Sequence, residues 1–418
     1  MLTAVRPHRI PARLALAIAT VMLAPLSQAA FLEDSQATLE ARNIYLNRDF
    51  REGDGQSKRD EWAQGFILNI ESGYTEGTVG FGLDALGMLG LKLDSSPDRT
   101  GTGLLPTDGE RAVDEYSKLG LTAKVKVSET VLKLGTLIPE LPTLAPNDGR
   151  ILPQVFEGGL LTSEEIDGLT LTGGRMDEVK GRDSTDSQSL ALNDKNGRFV
   201  GAEADYLNLA GFDYALNENL TARYHFAELD DIYRQHFVGL LAAYPIGPGA
   251  LSADLRLSIS DDYGASNGGE VDNRALNGML GYALDGHKLS LGYQDMSGDT
   301  GFAYVDGTNP YLVNFIQLND FANPDERSWQ ARYDYNFAAI GVPGLTFLTR
   351  YVSGEDARII GSDARGSEWE RDVELKYVVQ QGPLKDVAVR LRHATLRSDF
   401  ARDADEVRVI VSYALPLW

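Results

Sequence analysis

The 418-residue chain contains no cysteine, so neither a disulfide nor a thiolate metal site can hold it together. It has five histidines, little material for imidazole catalysis or metal ligation. Apart from one segment near its start, no apolar run approaches the ~20 residues that a spanning helix needs. Mean hydropathy is −0.23 and 24% of residues are charged, which excludes a helical membrane protein. Cations are the scarcer sign: 39 Lys and Arg stand against 61 Asp and Glu, a net charge of −22. Such a balance gives no electrostatic grip on nucleic acid. No nucleotide-binding loop is visible, so energy coupling is not expected, nor is any cofactor or metal.

The exception lies at the start. Arg6, Arg9 and Arg13 precede "LALAIATVMLAPL" (14–26), and "SQAAF" follows. A basic region, an apolar run and a small-residue exit form a secretory signal peptide, 1–29, with cleavage expected after Ala29. The exported chain, 30–418, is then a single domain and loses three arginines, which takes its charge from −22 to −25.

What is present in quantity is alternation. "LTARYHFA" (220–227) sets Leu220, Ala222, Tyr224 and Phe226 against Thr221, Arg223 and His225. "LSADLRLSIS" (251–260), "ARYDYNF" (331–337) and "AKVKVS" (123–128) repeat the pattern, and "VAVRLR" (387–392) sets Val387, Val389 and Leu391 against Arg390 and Arg392. This is the period of a strand with one apolar and one polar face. Turn signals punctuate the runs at 217–219, 285–286, 341–344 and 381–383, while other connections, such as 177–197 and 261–273, are long and polar. The 43 glycines suit so many turns. Short turns alternating with long loops, charge on nearly every polar face, and aromatics near strand ends together predict an all-β transmembrane antiparallel barrel. With about 18 strands, each strand and its connection receives ~21 residues. The terminal strand "VRVIVSYAL" ends near an aromatic, Trp418, as outer-membrane assembly signals do. On this reading the arginines of "VAVRLR" face water inside the barrel, because a charge against lipid costs ~2–4 kcal/mol near the midplane.

Two stretches exceed the needs of a connector: roughly 138–166, stiffened by Pro139, Pro142, Pro146 and Pro153, and 298–326. Their apolar side chains require a surface to pack on, and the lumen offers one.

The sequence resembles the OprD-type outer-membrane carboxylate channels of pseudomonads. "LNRDFREG" (46–53), "ESGYTEGTVGFGLDALGMLGLKLD" (71–94), "NDGRILPQVFEGG" (147–159), "AELDDIYRQHF" (227–237) and "KYVVQQGPLKDVAVRLR" (376–392) are among the stretches that carry the likeness. The resemblance implies an 18-stranded monomeric channel or weak trimer, with inward-folded third and seventh loops and a basic ladder down one wall. The matching ladder positions are Arg42, Arg48 and Arg59, Arg150 in the third loop, and Arg390, Arg392 and Arg408; Lys124 and Lys126 share the lumen-facing parity. Across the eyelet the resemblance places Tyr304 and Asp320, the latter expected to set up a transverse field. Leu318 stands where channels for basic amino acids carry a tyrosine. A further eyelet tyrosine has no counterpart around 190–205.

The function so implied is passive uptake of small carboxylate-bearing solutes: amino acids or small organic and aromatic acids. The partners implied are those solutes, outer-membrane lipid and lipopolysaccharide. Two other classes compete. A barrel hydrolase needs a nucleophile beside a histidine base, and His225, His236, His287 and His393 lack a distinctive serine or aspartate neighbourhood. An adhesin would use acidic loops such as 177–188, but basic lumen-facing rows serve no purpose in a plugged barrel.

Overall fold

The computed structural model describes residues 28–418; the signal-peptide reading of 1–29 lies almost entirely outside them. A short helix, α1 (Gln28–Glu33), leads into the strands. These are β1 (Gln36–Phe50), β2 (Lys58–Glu71), β3 (Val79–Ser95), β4 (Glu115–Val127), β5 (Thr130–Leu137) and β6 (Val155–Ile166). Then come β7 (Leu169–Lys180), β8 (Leu207–Asn217), β9 (Leu220–Leu229), β10 (Tyr233–Ile246), β11 (Gly249–Asp262) and β12 (Asp272–Leu284). The last six are β13 (His287–Ser297), β14 (Arg327–Asn336), β15 (Leu345–Arg358), β16 (Arg365–Val378), β17 (Ala388–Ser398) and β18 (Ala404–Pro416). Each pairs antiparallel with its chain neighbour, and β18 returns to β1 in register from Thr38↔Pro416 to Phe50↔Ala404. The 18 strands therefore close into a barrel with no free edge.

The period-2 pattern explains which way each face points. On β4, Leu119 and Leu121 are 71% and 54% exposed, while Lys118 and Lys124 are buried. A soluble wall would be the reverse; apolar outside and charged inside suits a barrel in lipid. The connections segregate by length. Five at the rim that carries both termini have two residues each, and the Asp285–Gly286 turn shows why the strands can reverse so tightly. Both residues have positive φ, 48° and 83°, the type I′ geometry that matches strand twist. The opposite rim carries the long loops, including the second (96–114), third (138–154), fourth (181–206) and seventh (298–326).

The expected seventh loop coincides with the observed one. The third is shorter than 138–166, because 155–166 is the strand β6. Its alternation is hidden at Gly158, where a Cβ would meet the Arg175 carbonyl oxygen at 2.2 Å; close strand approach, not hydrophobicity, selects the residue there.

Candidate functional site in the barrel lumen

The long loops are packed, not free. Ile151 and Leu152 of the third loop are fully buried in one cluster with Ile44 and Leu46 of β1 and Ala63 and Ile67 of β2. Gly65 of β2 makes room: a Cβ there would lie 2.6 Å from Ile151 Cγ2 and 2.9 Å from its carbonyl oxygen. From the seventh loop, Phe302, Tyr304 and Leu312 pack with Ala275 of β12 and Met296 of β13. The two loops also meet each other, in a two-residue antiparallel ladder between Ala145–Pro146 and Thr308–Asn309.

Around these loops the arginines converge on one seam of the wall. Arg408 of β18 is 2% exposed; it bonds Glu406 at 2.5 Å, the Gly149 carbonyl of the third loop at 3.3 Å and the Gln317 carbonyl of the seventh at 3.4 Å. Glu406 also accepts from Arg48 at 2.7 Å and from Gln317 at 3.0 Å. Arg42 forks between Glu40 (2.6 Å) and Asp148 (2.5 Å). Arg48 stands opposite Arg59 across β1 and β2, and Arg392 opposite Arg408 across β17 and β18. Arg390 and Arg392 share Glu374, at 3.4 and 3.2 Å. Two of these arginines have no carboxylate partner among the described residues. Arg59 donates to Gln56 (3.1 Å) and the Gly101 carbonyl (2.8 Å). Arg150 donates to the carbonyls of Thr102 (2.8 Å) and Gly149 (2.9 Å). Burial, then the nearby Arg408 and Arg182 cations, pull the Arg150 pKa well below the usual guanidinium value. Lys124 and Lys126 lie apart, near the short-turn rim: Lys124 pairs with Asp84 at 2.7 Å and Lys126 with Glu129 at 3.3 Å.

The eyelet trio departs from the expected arrangement. Asp320 is fully buried, and both its oxygens are engaged: Arg198 at 2.6 Å, Lys195 at 3.2 Å and the Tyr304 hydroxyl at 3.0 Å. Burial opposes its ionisation, but the Arg198 and Lys195 cations outweigh that and hold the carboxyl below the usual range. Burial and the Asp320 charge push the Tyr304 phenol well up. A carboxylate already neutralised by two cations does not project the transverse field expected of it; its partners come from the fourth loop, which the sequence pattern does not connect to 320. Leu318 is half-buried, and its N–H donates to Glu370 at 2.9 Å.

The facing wall holds Arg223, Arg256 and Arg332, which sequence reasoning placed on polar faces without assigning them a role, and Tyr311 and Arg350, which it did not single out. Tyr311 of the seventh loop, at φ 57°, accepts a bond from Arg223 at 2.6 Å. Its ring centroid lies 4.0 Å from the Arg256 guanidinium, which also donates to its carbonyl at 2.8 Å. Arg332 and Arg350 are cross-strand partners on β14 and β15. Asn309 and Tyr311 separate two cavities. One, of about 910 Å³, is lined by Arg42, Asp148 and Arg223; the other, of about 590 Å³, by Arg256, Arg332 and Arg350. The histidines have other partners: His225 bonds Asp213 at 2.9 Å, His236 the Tyr224 hydroxyl and His287 the Tyr333 hydroxyl, each at 2.8 Å.

Comparison with known proteins gives this lumen its relatives. The family described as outer membrane porin, OprD family, matches residues 29–417. The OccK5 (OpdH) structure of Pseudomonas aeruginosa is 58% identical, with a TM-score of 0.85, over 93% of this chain and 100% of that one. OccK9 (OpdG) of the same organism is 50% identical, TM-score 0.90, with the same coverage. OpdK of that organism, solved with vanillate, is 43% identical, TM-score 0.87, again covering 93% and 100%. The chain belongs to the OprD family of outer-membrane porins: a multi-pass barrel of a Gram-negative outer membrane that passes small solutes and is not an enzyme.

Proposed function

We propose that the protein is a passive channel selective for small carboxylates, constricted by third and seventh loops folded into the lumen. The observation that carries this reading is the basic seam where both loops meet the wall: Arg48, Arg59, Arg392 and Arg408 in adjacent registers, with Arg150 brought against them by the third loop. A carboxylate entering a narrow pore loses hydration. Guanidinium groups replace it with charge-assisted, often bidentate, bonds that are roughly twice as strong as neutral ones. Several such groups in series let the solute step without settling into one deep well. Arg59 and Arg150, which lack an internal carboxylate, are the groups an incoming anion satisfies best. Arg42, Arg48, Arg390, Arg392 and Arg408 are tempered by Glu40, Asp148, Glu374 and Glu406, which keeps each step shallow. Lys124 and Lys126 extend the basic path toward the exit.

The preference is for neutral amino acids and small organic or aromatic acids over arginine and lysine. Leu318 offers no hydroxyl, and Asp320 is sealed by Arg198 and Lys195, so a cationic tail finds no free acid there. Vanillate, bound in the OpdK structure, is an acid of the favoured class. Liposome uptake of benzoate, proline, arginine and benzamide tests the reading. Benzoate and proline should enter fastest; arginine outpacing both overturns the preference, and benzamide matching benzoate overturns the carboxylate mechanism.

A further inference from the structure

The outer wall carries a site that the transport path does not use. Leu280, Leu291, Ala331, Tyr351 and Arg371 are successive cross-strand neighbours from β12 to β16. They line a groove of about 620 Å³ on the face turned away from the lumen, deepened because Ala331 is small and Tyr333 stands beside it. The leucines are 53% and 68% exposed, as lipid-facing residues are. The groove ends at a cation. Arg371 is exposed, and its neighbours Glu370 and Asp372 point the other way, into the buried face. It makes no ion pair or side-chain hydrogen bond among the described residues, whereas Arg175 and Arg327, also exposed, pair with Asp177 (2.6 Å) and Asp356 (2.7 Å). The depth is marked by aromatics. Trp329, Tyr351 and Trp369 form a run with centroids 5.6 Å apart, toward the long-loop rim, and Arg371 lies two residues below Trp369. Aromatic runs of this kind sit at the membrane interface.

An unpaired guanidinium on a lipid-facing wall is costly unless the membrane supplies its counter-charge. We propose that this groove binds one phosphate-bearing lipid of the outer leaflet, with an acyl chain lying along Leu280, Leu291 and Ala331 and the phosphate on Arg371. The planar guanidinium fits two phosphate oxygens, and the neighbouring tyrosines give the glycerol or sugar region an amphipathic ledge.

The test titrates the purified barrel with a bis-phosphorylated, acylated glucosamine disaccharide and with the same lipid stripped of phosphate, counting bound copies by native mass spectrometry. Wild type should hold the phosphorylated lipid about tenfold more tightly. Arg371→Gln strands no protein partner and should fold; it should abolish the preference, while Arg371→Lys keeps most of it. Ala331→Trp fills the groove and should weaken binding of both lipids, with conductance unchanged in every variant. Equal binding of the two lipids by wild type, or an unaltered preference in Arg371→Gln, overturns the proposal. So does lipid-independent pairing of barrels that Ala331→Trp abolishes, which would assign the face to a second copy of the chain.

Discussion

Arg390 and Arg392 share one carboxylate, Glu374, whose side chain is 22% exposed. Strand parity set the two arginines on the face opposite Val389 and Leu391, both exposed on the outer side. It could not tell that Glu374, sixteen positions upstream of Arg390, stands opposite Arg392, because that partner depends on the register of a hairpin closed by a nine-residue turn. The same limit hid Glu406 between Arg48 and Arg408, and Arg198 on Asp320. Replacing Glu374 by Gln should free both arginines and raise anion preference by about 2- to 5-fold, the worth of a partly exposed pair at ~0.5–1 kcal/mol. Reversal potentials under a salt gradient read this directly; a shift toward cations would show that Glu374 does not temper these groups.

The third loop approaches the wall at Gly65, and its neighbour β6 escaped recognition because its glycines interrupt the alternation; the seventh, bounded by clear strands, was legible. Gly65→Val drives a branched side chain into Ile151. Overpacking of this kind costs ~1–3 kcal/mol. The variant should displace the third loop and raise single-channel conductance; an unchanged conductance would place the loop away from the narrowest point. The seventh loop is held by two acids of opposite pH behaviour. Asp320 titrates below its unfolded value, so its contribution is present above the ordinary carboxylate range and fades only as pH falls through the depressed one. Glu326 is 0% exposed; burial and the nearby Glu368 raise its pKa well above the usual value. Its contribution is therefore present at low pH and is lost as pH rises through the raised one. Protection factors across 298–326, with exchange corrected for its intrinsic base catalysis, should stay high at about pH 4 and fall in alkali, and Glu326→Gln should remove that fall. Protection that falls toward acid instead would mean that neither acid anchors the loop as described.

At the scale of the whole molecule, closure was legible from period and turns, since a charged face along nearly every strand has only one inexpensive place to go. The chain's overall acidity masked that Arg48, Arg59, Arg392 and Arg408 stand in adjacent registers of β1, β2, β17 and β18, while Arg256, Arg332 and Arg350 line a cavity elsewhere. Orientation toward lipid is set by the same parity, so Val389→Arg should impair insertion by ~2–4 kcal/mol, read as a lower folded yield in vesicles. Arg390→Ala combined with Arg392→Ala should insert normally, because only a partly exposed Glu374 loses partners. This double variant is also the most direct probe of carboxylate guidance. Benzoate uptake into liposomes should fall about 3- to 10-fold, equivalent to ~0.7–1.4 kcal/mol, while benzamide uptake holds or rises. The difference should shrink in 1 M salt, where the screening length is ~3 Å. Benzoate uptake equal to wild type at low salt would contradict a basic path along this wall.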